Sequence, residues 1–137
     1  MTALEDFKAV NASFPYTDPI KGWKEQGKEA MGWLCIYVPE EIIHAAGILP
    51  VRLAADGEQI SLDQANIYVA ETTCSFIRSC LQLGLTDQFK FLDAIAACTA
   101  CQGCNRLSEV WSYYIKDIPV LYTLDLPRNH FWNACRL

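Results

Sequence analysis

The stretch Phe91-Leu-Asp-Ala-Ile-Ala-Ala-Cys98-Thr-Ala-Cys101-Gln-Gly-Cys104 decides the fold of this chain. Its apolar first part, residues 91–96, predicts a buried strand. The residues that follow the cysteines, 107–115, place apolar side chains at the i, i+3, i+4, i+7 spacing of an amphipathic helix. The cysteines therefore fall between a strand and a helix, at the sheet edge where open α/β proteins carry their functional loops.

The rest of the chain repeats this alternation of strand and helix. We predict strands at 33–38, 49–53, 91–96 and 119–126, with a polar helix end or loop at 22–31. A helix is expected to open at Pro39-Glu40-Glu41, because proline and acidic residues suit the first turn. Further helices are predicted at 61–70 and at 76–83, the latter closed by Gly84. Alternation of this kind predicts an α/β fold, a Rossmann-like parallel sheet with helices on both faces.

Length and composition narrow the class of protein. A chain of 137 residues with 52% apolar and 20% charged residues suits one globular domain, 1–137, with a helical lead-in over about 1–31. The net charge of −5 and the lack of a Lys/Arg cluster argue against nucleic-acid binding. No basic, apolar leader and no long apolar run is present, so we expect a cytoplasmic protein without a membrane span.

Seven cysteines in such a chain point to metal binding or catalysis, since thiols stay reduced in the cytoplasm. Soft thiolates in the pattern C-x-x-C-x-x-C favour zinc, cuprous copper or an iron–sulfur cluster. Cys74 precedes the helix at 76–83 and could reach the same sheet edge. Cys98 and Cys80, by contrast, are expected to be buried packing thiols.

Four blocks carry a resemblance to a known family. They are the segment Cys35-Ile-Tyr-Val-Pro-Glu-Glu-Ile-Ile-His-Ala-Ala-Gly-Ile-Leu-Pro-Val-Arg-Leu53, then Cys74-Ser-Phe-Ile-Arg-Ser79, then Cys101-Gln-Gly-Cys-Asn-Arg-Leu-Ser-Glu-Val-Trp111, and finally Leu124-Asp-Leu-Pro-Arg128. In this order they resemble the 2-hydroxyacyl-CoA dehydratase family. That family includes the 2-hydroxyglutaryl-CoA dehydratase D component, benzoyl-CoA reductase subunits and the double-cubane cluster proteins.

The resemblance implies a metal site and its ligands. In that family, cysteines from separate loops hold a 4Fe-4S cluster, or a double-cubane cluster in some relatives. By position, Cys74 matches the first ligand and Cys101 the second, whereas the family's third ligand comes from a later part of the chain. Gln102 stands where the family usually has Asp. Cys104 is a candidate substitute ligand or a thiol at the helix start, and Glu41 matches a position that could approach substrate.

The implied activity is radical chemistry on an acyl-CoA thioester. A low-potential electron would drive dehydration (a lyase reaction) or ring reduction (an oxidoreductase reaction) under anaerobic conditions. The resemblance also implies a second family subunit in a hetero- or homodimer, and a separate ATP-hydrolysing iron–sulfur activator. This chain has no GxxxxGK[ST] phosphate loop, so ATP is not expected to bind it.

Two alternatives stay open at the level of sequence. The ending after Arg128, Asn-His-Phe-Trp-Asn-Ala-Cys-Arg-Leu137, departs from the family, and later family domains are absent. This ending suggests a truncated, fragmentary or frame-shifted product that is non-catalytic. The other alternative is a small zinc or redox binding module built on the cysteine run, although zinc sites usually pair two C-x-x-C knuckles.

Overall fold

The computed structural model describes residues 2–55 and 60–127, in which helices alternate with strands. The elements are α1 (Ala3–Ala12), α2 (Asp18–Glu25), β1 (Ala30–Trp33), α3 (Glu40–Ala45), β2 (Leu49–Arg52), α4 (Ala65–Tyr68), α5 (Ser75–Leu85), β3 (Ala94–Cys98), α6 (Gln102–Tyr114) and β4 (Val120–Leu124).

The strands form one sheet with the order β2-β1-β3-β4. Every neighbouring pair is parallel, from Ala30 opposite Leu49 to Cys98 opposite Leu124. Parallel neighbours need crossover connections, and helices supply them here. The predicted α/β fold with a parallel sheet is therefore confirmed.

Helices cover both faces of this sheet, because successive side chains of a strand point to opposite sides. On one face Ala30 belongs to the large apolar core that includes Leu81 of α5 and Leu107 of α6. On the other face Trp33 packs in a smaller cluster with Ile43 of α3. Helices α5 and α6 are thus the main cover of one face, while the short helix α3 is the main cover of the other.

The long helices α5 and α6 touch through a glycine. A Cβ atom on Gly84 would lie 2.6 Å from Cζ3 of Trp111, which is closer than such atoms approach. Trp111 is fully buried, and its indole N–H donates to the carbonyl of Ile118 at 2.9 Å. The prediction that Gly84 closes the helix is wrong, because α5 continues to Leu85. Gly84 instead permits the close approach of the two helices.

Several predicted boundaries also differ from the structure. The segment 33–38 is not a strand: β1 spans Ala30–Trp33, and Cys35, with a φ of 76°, leaves the extended conformation. The third strand is Ala94–Cys98, because Asp93 turns its carboxylate onto the backbone N–H of Ala30 at 2.7 Å. These differences arise from contacts between distant segments.

Two helices differ in length from their predictions. The helix predicted at 61–70 is reduced to Ala65–Tyr68. The last helix begins at Gln102, ahead of the periodic residues 107–115, so Cys104 lies in its first turn, as expected of a thiol at the helix start. The helix at Pro39 is confirmed, since α3 starts at Glu40.

Polar contacts of α2 hold the N-terminal helical segment against the sheet. Lys24 lies in the segment predicted as a helix end or loop, and α2 does end there, at Glu25. Lys24 forms an ion pair of 2.7 Å with Asp93 next to β3. Trp23 donates its indole N–H to the carbonyl of Glu29 at 2.8 Å. Within the residues that the structure describes, no helix has the length and apolar character of a membrane span. The single-domain organisation itself stays a prediction.

Replacing Gly84 with alanine should destabilise the fold by about 1–3 kcal/mol, because the added methyl group has no space beside Trp111. The matched control is Gly22→Ala in α2, where nothing lies within 4 Å of the new Cβ atom. That change should be neutral or stabilising by about 0.5–1 kcal/mol, since alanine favours a helix interior. Urea unfolding followed by circular dichroism measures both. Equal effects of the two substitutions would contradict the close contact.

Candidate metal centre

The two predicted cluster ligands occupy equivalent places on two helices. Cys74 is the N-cap residue of α5, and Cys101 is the N-cap residue of α6. Both are exposed. The N-terminal end of a helix carries partial positive charge, which favours thiolates and other anions. Both cysteines therefore stand at the start of a long helix, at the same end of their helices.

One cleft of about 510 Å³ brings these cysteines together. Its lining comes from the loop before α5 and from the first two turns of α6: Thr72, Thr73, Cys74, Cys101, Gln102, Gly103, Arg106 and Glu109. Gly103 makes the approach of the two helix ends possible, since a Cβ atom there would lie 3.0 Å from Cγ1 of Ile77. Cys74 and Cys101 thus share one rim of the molecule.

Cys104 is adjacent to Cys101 but faces the core. The two Sγ atoms are 3.6 Å apart, and the backbone N–H of Cys104 donates to Sγ of Cys101 at 3.4 Å. Only 5% of Cys104 is exposed. The pair therefore consists of one exposed and one buried sulfur.

The surroundings give these two thiols different acidities. Hydrogen bonds, first from the backbone N–H of Cys104, lower the pKa of Cys101 in spite of partial burial. Burial, followed by the hydrogen bond and charge of Cys101, raises the pKa of Cys104 to about 12. Near neutral pH, Cys101 is the more readily ionised thiol of the pair, and Cys104 is protonated.

The other cysteines of the described residues are enclosed to different degrees. Burial raises the pKa of Cys98 to about 11 and that of Cys80 to about 12. The thiol of Cys98 donates to the carbonyl of Leu34 over 3.9 Å. Both are fully buried, as expected of packing thiols. Cys35 is half-buried, and Cys135 lies outside the described residues.

A second cleft of about 610 Å³ adjoins the first at Cys101. It is lined by Tyr37, Thr99, Ala100, Cys101, Gln102, Leu126 and Pro127. No sequence pattern marks Tyr37, Thr73 or Leu126 as site residues. Their only signal was proximity in sequence to strand ends and to Cys74. Glu41, exposed in the first turn of α3, is not among the described residues that line either cleft.

The donor atoms suit an iron–sulfur cluster in kind but not in number. Such clusters are usually held by four cysteine thiolates. The cleft offers Cys74 and Cys101, with Cys104 behind the latter. Across residues 2–55 and 60–127, no group of three or more His, Cys, Asp or Glu side chains is arranged as a metal site. Further ligands would have to come from elsewhere.

Comparison with known proteins gives consistent matches. A family model for 2-hydroxyglutaryl-CoA dehydratase, D-component, matches residues 35–135. A benzoyl-CoA reductase subunit of Thauera aromatica is 30% identical over 110 residues, covering 79% of this chain and 28% of that protein. The (R)-2-hydroxyglutaryl-CoA dehydratase subunit beta of Acidaminococcus fermentans is 33% identical over 121 residues, covering 87% and 31%.

A third relative extends the same pattern. Lactoyl-CoA dehydratase subunit beta of Anaerotignum propionicum is 35% identical over 110 residues, covering 80% of this chain and 25% of that protein. The chain therefore spans between 25% and 31% of the length of these relatives.

Iodoacetamide should alkylate Cys101 at lower pH than an ordinary thiol. The hydrogen bonds to its sulfur favour the thiolate, so the midpoint of its alkylation rate should fall below 9.0, the ordinary pKa of a cysteine. Cys104 should react slowly throughout, because it is buried and its pKa is raised to about 12. Peptide mass spectrometry after timed labelling measures both. Faster labelling of Cys104 than of Cys101 would refute this assignment.

Proposed function

The chain belongs to the 2-hydroxyglutaryl-CoA dehydratase D-component family, and we propose that it is the cluster-binding part of an iron–sulfur subunit. The enzyme would be of the radical 2-hydroxyacyl-CoA dehydratase or benzoyl-CoA reductase type. Cys74 and Cys101 would be cluster ligands. The observation that carries this proposal is the single cleft lined by both exposed thiols, each at the N-terminus of a long helix.

The electrostatics of the cleft favour a negatively charged group. Two helix N-termini contribute partial positive charge. Arg106 also lines this cleft, where it donates to the carbonyl of Tyr68 at 3.3 Å. Glu109 lines the cleft too and pairs with Arg106 at 3.2 Å, so the favourable charge comes from the two helix N-termini. A thiolate-ligated 4Fe-4S cluster is anionic, so these charges offset part of its own. When bound, the cluster would supply one low-potential electron to an acyl-CoA thioester.

The second cleft supplies a route for the substrate. It meets the first at Cys101, and its walls combine the aromatic ring of Tyr37 with the apolar side chain of Leu126. An acyl group lying there would place its thioester near the cysteine rim. Glu41 stays a proposed acid–base residue on family resemblance alone. It would need substrate to extend past the loop that follows β1.

Further ligands and partners are part of this proposal. The chain spans less than a third of its relatives, so additional cluster ligands would come from other sequence of the same subunit. The relatives are named as subunits, which supports a second family subunit, in a hetero- or homodimer. A separate ATP-hydrolysing iron–sulfur activator would deliver the electron.

Two alternatives give different results in one experiment. A non-catalytic fragment would bind no cluster because ligands are missing. A small zinc module would bind zinc through the C-x-x-C-x-x-C run and would lose its fold without metal.

Anaerobic reconstitution with iron, sulfide and excess 2-mercaptoethanol, whose thiolates can fill the ligand positions that this chain leaves open, should give a brown protein, with iron and acid-labile sulfide counted per chain. Cys74→Ser and Cys101→Ser should each lose most of this iron, because each removes a thiolate from the cleft. The matched control is Cys80→Ser on α5, which removes a buried thiol with a pKa of about 12 and should retain iron.

Three outcomes would contradict the proposal. Stoichiometric zinc in the protein as purified would support the zinc module. The lack of any iron in the wild-type chain would support the fragment. Equal iron in the wild type and in both ligand variants would place the metal outside the cleft.

A further inference from the structure

The Cys101–Cys104 pair has the arrangement of a dithiol that can close to a disulfide. The Sγ atoms are 3.6 Å apart. A disulfide bond is about 2.05 Å long, so the sulfurs need to approach by roughly 1.5 Å. Cys101 precedes the helix with extended backbone, φ −150° and ψ 167°, and its side chain can move without unwinding α6. Cys104 is fixed in the first turn, where its carbonyl accepts a hydrogen bond from Ser108 at 3.0 Å.

We propose that Cys101 and Cys104 form a thiol–disulfide exchange site whose substrate is a low-molecular-weight disulfide such as oxidised glutathione. Access supports this division of roles. Cys101 is exposed and borders both clefts, so a small disulfide can reach its sulfur. Cys104 is almost fully buried and can reach only a sulfur that is already beside it. Cys101 is the attacking thiol, and Cys104 is the resolving thiol.

The exchange proceeds in two balanced steps. The Cys101 thiolate attacks one sulfur of the small disulfide, forms a mixed disulfide and releases one thiolate, which takes up a proton from water. The Cys104 thiol then loses its proton and attacks Sγ of Cys101, and the second thiolate leaves with that proton. In sum, two protein thiols are oxidised by two electrons and one small disulfide is reduced to two thiols.

The exchange has a consequence that rests on the proposed function. A disulfide between Cys101 and Cys104 removes the Cys101 sulfur from the set of cluster ligands. Oxidation of the metal-free chain would then prevent cluster assembly until a thiol reduces the bond. Cys104 thus acts through Cys101 and is not itself a cluster ligand.

The test uses the metal-free, reduced protein and oxidised glutathione. Thiols that stay free are alkylated after the reaction, and mass spectrometry then identifies which cysteines form protein disulfides or mixed disulfides with glutathione. The wild type should lose the mass of two hydrogen atoms and carry a bond between Cys101 and Cys104. Cys104→Ser should instead accumulate one glutathionyl group on Cys101. Cys98→Ser, which removes a buried thiol of the same run, is the matched control and should form the bond like the wild type.

The outcomes separate this inference from the proposed cluster. Cys74→Ser should still form the disulfide although it loses iron, so failure of iron binding leaves the exchange site intact. A bond from Cys101 to Cys74 or to any other cysteine in the wild type would overturn the inference. Persistent glutathionylation of the wild type, with no loss of two hydrogens, would also overturn it.

Discussion

The parallel packing of α5 against α6 is the contact on which the site depends. It is close at both ends, where Gly103 lies against Ile77 and Gly84 lies against Trp111. Because the helices run in the same direction, both N-termini reach the same edge of the molecule. Cys74 and Cys101 occupy the N-cap positions at those two ends. A cleft with a thiol on each side follows from two glycines that allow the helix backbones to approach.

The sheet orients this pair of helices. The parallel pairing of β1 with β3 begins with Met31 opposite Ala94, and α6 follows the carboxyl end of β3 after a short loop. The helix pair covers one face of the sheet, with Leu81 and Leu107 in the common core. The side of a helix that packs on the sheet thus determines which thiols are accessible to solvent. Cys104 points into this core and Cys101 points away from it, although only two residues separate them.

Much of this arrangement could be predicted from the sequence. Regular alternation of apolar strands and amphipathic helices was sufficient for the parallel sheet, and Pro39-Glu40-Glu41 indicated the start of α3. The strand predicted at 33–38 is wrong, because an apolar run by itself does not show which residues pair with neighbouring strands. Strand β1 forms instead where the backbone pairs with β2 on one side and with β3 on the other. Gly84 was misread because a glycine near a helix end resembles a stop signal, and only the position of Trp111 reveals its packing role.

The site was predictable in part for a similar reason. The positions of Cys74 and Cys101 before helices indicated that they could meet, and they share a cleft in the structure. The unequal burial of Cys101 and Cys104 was not readable, since it depends on which side of α6 faces the core. The four thiolates that usually hold the proposed cluster also exceed what these residues offer. A longer subunit would therefore be needed to complete the metal centre.

A crystal structure of the anaerobically iron-loaded protein, with anomalous scattering recorded at the iron edge, would show whether Cys74 and Cys101 bind the same metal. We expect iron in the cleft between the N-termini of α5 and α6, bonded to Sγ of Cys74 and to Sγ of Cys101. Iron bound at another surface, or bonded to only one of these two sulfurs, would contradict this expectation.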